Sequence, residues 1–338
     1  MLEKTMKQVL IKKVNKWLDT ITDEGVKRAI KEDLVITGGC FVSMLNNESP
    51  NDFDCYFKTK DTVLKVARYY ANLWNEIKGK QANQLTHKSK IFVLDGAKPD
   101  QEILDYYQVK DIKDSMAVML SNTSPERVKI IFPSDGIIGD PEEVRADEEL
   151  GTPEGFISNL SAVTEVDEVE ADKVIEQCKQ EYFPVFFSTN AITLSGGIQL
   201  IVRFYGEPSE IHDTFDFVHT KAYWTMKEKD IVIPKDVYET VINKTLRYSG
   251  SKYPVCSLFR LRKFLSRGWT INAGQILKIA MQISELNLCD IGTLEDQLVG
   301  VDSLYFSNLI QQFHRMEEEK DDFKLTSSYV MSIVDKIL

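Results

Sequence analysis

The residues best suited to chemistry lie in Val35-Ile36-Thr37-Gly38-Gly39-Cys40-Phe41 and, thirteen residues after Gly39, in Asp52-Phe53-Asp54-Cys55-Tyr56-Phe57. A short apolar strand runs into a glycine pair, and a second short strand carries aspartates at i and i+2. Side chains alternate across a strand, so Asp52 and Asp54 share one face and Phe53 and Cys55 the other. Two carboxylates on one face suit the holding of Mg²⁺ against a triphosphate, since hard divalent cations take oxygen ligands. A pair of such ions clamps the attacking and leaving oxygens of an in-line phosphoryl displacement. Gly38 and Gly39 would let backbone N–H groups approach the phosphates, where a Cβ would obstruct them. The plain alternative is an exposed aspartate pair beside an ordinary turn.

Elements that would position these residues are legible on both sides. Leu2, Met6, Val9, Leu10, Val14, Trp17, Leu18 and Ile21 recur at helical spacing, so residues 1 to about 31 read as amphipathic helix, with a break at Asp23-Glu24-Gly25. The spacing predicts a strand over 34–37, a short helix over Phe41 to Leu45, a loop over Asn46 to Asn51, a strand over 53–57 and a helix over 61–78. Lys90 to Leu94 and Val128 to Phe132 read as short strands, and Ile112 to Leu120 and Ala171 to Tyr182 as helices. Phe183 to Leu194 and Ile198 to Phe204 form two β-rich runs joined by Ser195-Gly196-Gly197, which is hairpin chemistry. Ser209 begins a short helical turn, and Ile231 to Pro234 reads as a strand. Helices are expected over 235–247, 254–267, 272–286, 293–312 and 323–337.

Composition bounds the classes available. With 338 residues, 43% hydrophobic and 28% charged, the chain has the make-up of an ordinary globular protein large enough for two domains. No apolar run approaches the ~20 residues that span a bilayer, and no membrane partner is expected. Five scattered cysteines without a C-x-x-C pair read as reduced thiols, and four histidines lack metal-ligand spacing, so the cytoplasm is the expected compartment. The net charge of −11 is unevenly spread. Asp140 to Glu176 carries 13 acidic and two basic residues, whereas Lys244 to Arg267 carries seven basic residues and no acid. The first reads as an insertion outside the core, the second as a basic helical surface suited to phosphate contact.

Strand, Gly38-Gly39, short helix, loop, Asp52-x-Asp54, helix and hairpin resembles the head of the polymerase-β-type nucleotidyltransferases, closest to the CCA-adding enzyme and bacterial poly(A) polymerase branch. Thr214-Phe215-Asp216-Phe217-Val218-His219-Thr220-Lys221-Ala222 resembles that branch's nucleotide-contacting motif without its arginine pair. Pro254 to Phe264 with Gly268-Trp269 resembles its neck helix. Cys40-Phe41-Val42-Ser43 departs from the family's x-x-R-D, and Gln199 or an apolar neighbour stands where a third carboxylate is expected. Residues 184–310 are also similar to proteins of large tailed phages.

The resemblance implies an α+β enzyme. It has a nucleotidyltransferase head with a small mixed sheet over 1–233, interrupted by an insertion over about 80–182 (acidic part 136–176), and an all-helical neck and body over 234–338. It implies two Mg²⁺ ions on Asp52 and Asp54, with Asp216 either joining the metal site or bonding the ribose. Gly38, Gly39, Arg203, His219, Arg260, Lys263 and Arg267 are then the nucleotide-binding candidates, and an NTP is the substrate. The expected reaction is NMP transfer to an RNA or tRNA-like 3′ end. The alternatives are a protein or small-molecule acceptor, and an inactive fold of the same kind used for binding or assembly. A phage-encoded chain would act in the host cytoplasm.

Overall fold

The computed structural model describes residues 1–81, 90–96, 127–131, 181–188, 190–298 and 324–337, with 103, 310, 313, 314, 316 and 317 singly. The fold is α+β with a mixed sheet, and the chain divides into two compact units. The first holds Met1–His212 and Ala222–Pro234, the second Asp213–Lys221 and Lys235–Leu338.

The first unit opens with α1 (Glu3–Thr20), whose Met6, Leu10, Val14, Trp17 and Leu18 are buried as the helical spacing requires. The break falls where the sequence placed it. Asp23 caps α2 (Glu24–Asp33) by accepting from the backbone N–H groups of Gly25 and Val26. In α4 (Lys60–Gln81), Val63, Val66, Ala67, Tyr70 and Trp74 form the buried face. Trp17 Nε1 donates to the Tyr70 hydroxyl at 2.6 Å, a buried bond between α1 and α4. Tyr70→Phe would leave the indole N–H without its acceptor at a buried site. The expected loss of stability is about 1–3 kcal/mol, read from urea unfolding.

Between these helices lie β1 (Leu34–Thr37), α3 (Gly39–Leu45) and β2 (Phe53–Phe57). β3 (Phe92–Asp95) and β4 (Val128–Ile131) form a separate antiparallel pair close to the expected spans. The expected helices over 112–120 and 171–182 and the acidic stretch 136–176 lie outside the described residues, apart from 181 and 182.

The run from Phe183 to Leu194 is two strands, β5 (Pro184–Phe187) and β6 (Ala191–Leu194). The reason is local: Ser188 Oγ accepts from the N–H groups of Asn190 and Ala191 and closes a turn that side-chain hydrophobicity does not announce. β7 (Ile198–Tyr205) follows, then the short α5 (Pro208–His212), β8 (Tyr223–Thr225) and β9 (Ile231–Val232). The sheet order is β5-β6-β7-β2-β1-β8-β9. Only the β2–β7 pairing is parallel, which makes the sheet mixed. Gly197 fixes the hairpin against β2. Its φ is +72°, an added Cβ would lie 2.3 Å from the Asn51 carbonyl oxygen, and its own carbonyl accepts from Phe53 N–H at 2.9 Å.

The second unit contains α6 (Lys235–Ile242), α7 (Pro254–Ser266), α8 (Ala273–Ser284), α9 (Ile291–Leu298) and α10 (Ser327–Ile337). It is not all helical. β10 (Thr245–Leu246) and β11 (Thr270–Ile271) pair in parallel, and residues 218–220 form a 3₁₀ turn. Lys244 ends in a left-handed conformation (φ +47°), which turns the chain out of α6 and into the strand. A cluster of Ile291, Leu294, Leu298, Ile310, Phe313 and Leu325 supplies a core for this part.

Candidate functional site

β1 and β2 pair antiparallel with Thr37 opposite Asp54. β8 places Tyr223 opposite Thr37, and β7 places Gln199 opposite Asp54. Gln199, Asp54, Thr37 and Tyr223 therefore form one transverse row across four strands, all on one face of the sheet. Asp54 is half-buried and Asp52, just before β2, is exposed.

Gly38 closes this corner. With φ +90° and ψ −149° it holds a conformation essentially open only to glycine, and an added Cβ would lie 2.6 Å from Asp54 Oδ2. At Gly39 an added Cβ would meet nothing within 4 Å, so the space beside the glycine pair is open. Both carboxylates act on the first turn of α3: burial pushes the Cys40 thiol well up, and the negative charges of Asp54 and Asp52 push it further. Gly38→Ala is expected to cost about 1–3 kcal/mol in urea unfolding through its backbone strain alone. It also displaces the Asp54 carboxylate, so function should fall further than stability explains.

Thr37 is fully buried, and its hydroxyl is bonded on both sides. It donates to the Ala222 carbonyl at 2.7 Å and lies 2.9 Å from His212 Nε2. With the hydroxyl proton directed to the Ala222 carbonyl, His212 Nε2 is the donor to the Thr37 oxygen. His212 also packs edge-on against Tyr223 with ring centroids 5.6 Å apart. His212 and Ala222 are the two residues that flank the excursion of the chain into the second unit. Sequence reasoning missed Thr37, His212 and Tyr223 as members of this corner. The available signal was a polar residue ending an otherwise apolar strand, directly before the glycines.

The structure brings Gly38, Gly39, Asp52 and Asp54 together. Arg203 is on β7 of the same sheet, largely buried, with its guanidinium over the Phe204 ring. Gln199, not a carboxylate, is the neighbour of Asp54 on β7, and no group of three or more His, Cys, Asp or Glu side chains disposed to hold a metal occurs among the described residues.

The remaining candidates lie in the second unit. Asp216 is buried and accepts from Arg260 Nη1 at 2.9 Å, which gives the carboxylate an ion-pair partner. His219 is fully buried between Phe264 and Trp269, at ring-centroid distances of 4.5 and 4.4 Å. Neither of its ring nitrogens has a hydrogen-bond partner among the described residues. Burial pulls its pKa down to about 4 against the opposing pull of Asp216, so the imidazole is neutral. Lys263 and Arg267 are exposed at the C-terminal end of α7.

The chain matches the family model described as "Gabija anti-defense 2 family protein" over residues 8–150 and 152–244. It belongs to the Gabija anti-defense 2 family. The match covers the two central strands, the glycine pair, both aspartates, β7 and β8. A protein named "Gabija anti-defense 2" from Bacillus phage SPbetaL7 is 24% identical over 198 residues, covering 54% of this chain and 48% of that protein. The chain thus spans about half the length of the curated relative it matches. No solved structure matches it.

This membership overturns the resemblance to polymerase-β-type nucleotidyltransferases and the CCA-adding branch, for which no family match exists. The transfer reactions and the binding-module alternative built on that resemblance fall with it, as does a role in tRNA processing. The physical reason is plain: a glycine pair and a D-x-D are short motifs that backbone geometry and metal chemistry favour generally.

Proposed function

We propose that this protein is a phage-encoded antagonist of Gabija defence, acting in the cytoplasm of the infected cell. We further propose that its Gly38–Gly39, Asp52 and Asp54 corner is a Mg²⁺-dependent enzymatic site for a nucleoside triphosphate, on which that antagonism depends. The observation that carries the reading is the family match running through the whole corner.

The chemistry of the corner fits such a group. Mg²⁺ characteristically takes one or two carboxylates and completes its shell with water and substrate phosphate oxygens, so two aspartates suffice. The ion would supply charge neutralisation between these carboxylates and the phosphates. Asp54 is held in place by its register with Thr37 and by the missing Cβ of Gly38, while exposed Asp52 stays accessible. The open space at Gly39 leaves room for phosphate oxygens. Positioning of this kind, on rigid strands rather than loops, is what metal-assisted phosphate chemistry requires of a protein.

The test has two parts. Expressing the chain in Gabija-carrying bacteria should restore plaques of a phage that Gabija otherwise blocks; unrestored plating would remove the anti-defence reading. Titrating the purified chain with each of the four nucleoside triphosphates, with Mg²⁺ and with EDTA, should show Mg²⁺-dependent binding of at least one. Restored plating without any such binding would remove the nucleotide site and leave the antagonism standing.

A further inference from the structure

α8 is built the opposite way from an ordinary surface helix. It turns glutamines inward: Gln275 Oε1 accepts from Tyr248 N–H at 2.9 Å, and Gln282 Oε1 accepts from the Tyr248 hydroxyl at 2.5 Å and from Ser251 N–H at 3.1 Å. Ile279 is its one buried apolar residue. Ile276, Leu277 and Met281 face outward, with Leu277 61% and Met281 57% exposed. An amphipathic helix packs its apolar stripe against something, and here the polar stripe does the packing within the chain. The neighbouring α7 also leaves Leu258, Phe259 and Leu265 exposed.

Charge sets the surroundings of this apolar surface. From Lys244 to Ser284 the sequence has eight basic residues and no acidic one, in a chain whose net charge is −11. Arg262, Lys263, Arg267 and Lys278 are exposed, and no carboxylate pairs with them among the described residues. Exposed aliphatics that share two helices with cations unpaired among the described residues complement a surface that is apolar in its centre and acidic at its rim.

We propose that the α7–α8 surface is a docking site for an acidic amphipathic helix of a protein partner. The side chains disfavour the other polyanions. Single-stranded nucleic acid is gripped by stacking on exposed aromatics, and this surface offers aliphatics with Phe259 alone. Membrane-surface helices anchor through tryptophan, phenylalanine and leucine together; all four tryptophans of this chain (Trp17, Trp74, Trp224 and Trp269) are buried, which leaves this surface without the interfacial tryptophan anchor. Helix-in-groove recognition instead uses aliphatic and methionine contacts at i, i+3, i+4 spacing, as Leu277, Met281 and their neighbours present.

The full chain is titrated with a synthetic amphipathic peptide of leucines at helical spacing and glutamates elsewhere. A second peptide with lysine for every glutamate, phosphatidylglycerol vesicles and single-stranded RNA serve as comparisons. Binding of the acidic peptide is expected, weakened by salt. It should fall about tenfold or more in Leu277→Ser/Met281→Ser and again in Arg262→Glu/Lys263→Glu. These positions are exposed, so unchanged urea unfolding confirms that both variants stay folded. The proposal is overturned if the acidic peptide fails to bind, if the lysine peptide binds equally, or if neither variant weakens the complex. Variant-sensitive binding of vesicles or RNA in preference to the acidic peptide overturns it as well.

Discussion

Asp52→Asn/Asp54→Asn is expected to abolish the restoration of plaques while leaving the fold intact. The amide keeps the size of the carboxylate and removes its charge, so the change isolates electrostatics from packing. Asp52 is exposed and Asp54 half-buried. Removing two like charges from one corner relieves repulsion, so urea unfolding should move by no more than about 0.5 kcal/mol. Mg²⁺-dependent nucleotide binding should fall on the order of a hundredfold or more, the scale of losing a preorganised charge-stabilising group. Plating that survives with both carboxylates gone would show that the antagonism does not run through this corner. The single changes should differ in degree: Asp54, fixed by Gly38 and Thr37, is expected to matter more than Asp52.

His219 gives the second large effect, on stability. Its pKa in the folded chain is about 4, below the ordinary value of 6.5, because burial disfavours the imidazolium. Above pH 6.5 the imidazole is neutral in both states and the fold has its full stability. As pH falls from 6.5 toward 4 the unfolded chain takes up a proton that the folded chain refuses, so stability drops through that window and levels off below it. At 1.36 kcal/mol per pH unit the loss approaches about 3 kcal/mol. Asp216 is the charged neighbour that moderates it. His219→Leu keeps the cavity among Phe217, Phe264 and Trp269 filled and should flatten the slope of urea-derived stability between pH 6.5 and 4. An unchanged slope in the variant would assign the acid limb to carboxylates elsewhere.

What the sequence disclosed was local. The break between α1 and α2 was legible because Asp23 caps its own neighbours, and α4 because its apolar positions repeat every three to four residues. The glycine pair and the aspartates were legible because their chemistry depends on backbone freedom and charge within a few residues. Four things were not. The split of Phe183 to Leu194 depends on a serine side chain closing a turn inside an apolar run. The strand pair Thr245–Leu246 and Thr270–Ile271 is too short to carry a period. The partners of Asp54 and Thr37 across the sheet come from positions 199, 212 and 223, and no spacing within a short window reports such contacts. The inverted amphipathicity of α8 was likewise hidden, since an apolar stripe looks the same whether it faces a core or solvent.

The mixed order of the sheet also dictates when the corner can exist during synthesis. β1 and β2 can pair as soon as residue 57 has left the ribosome, but their outer neighbours β7 and β8 end at residues 205 and 225. At translation rates of about 5–20 residues per second, the central hairpin waits on the order of ten seconds or more with both edges unpaired. Closing so long a connection costs little extra at equilibrium, because loop entropy grows only with the logarithm of length. The delay is kinetic. Helices α1, α2 and α4 are all made by residue 81, early enough to cover one face of the waiting strands. A chain released before residue 223 would carry the glycine pair and both aspartates yet lack the row that holds them in place.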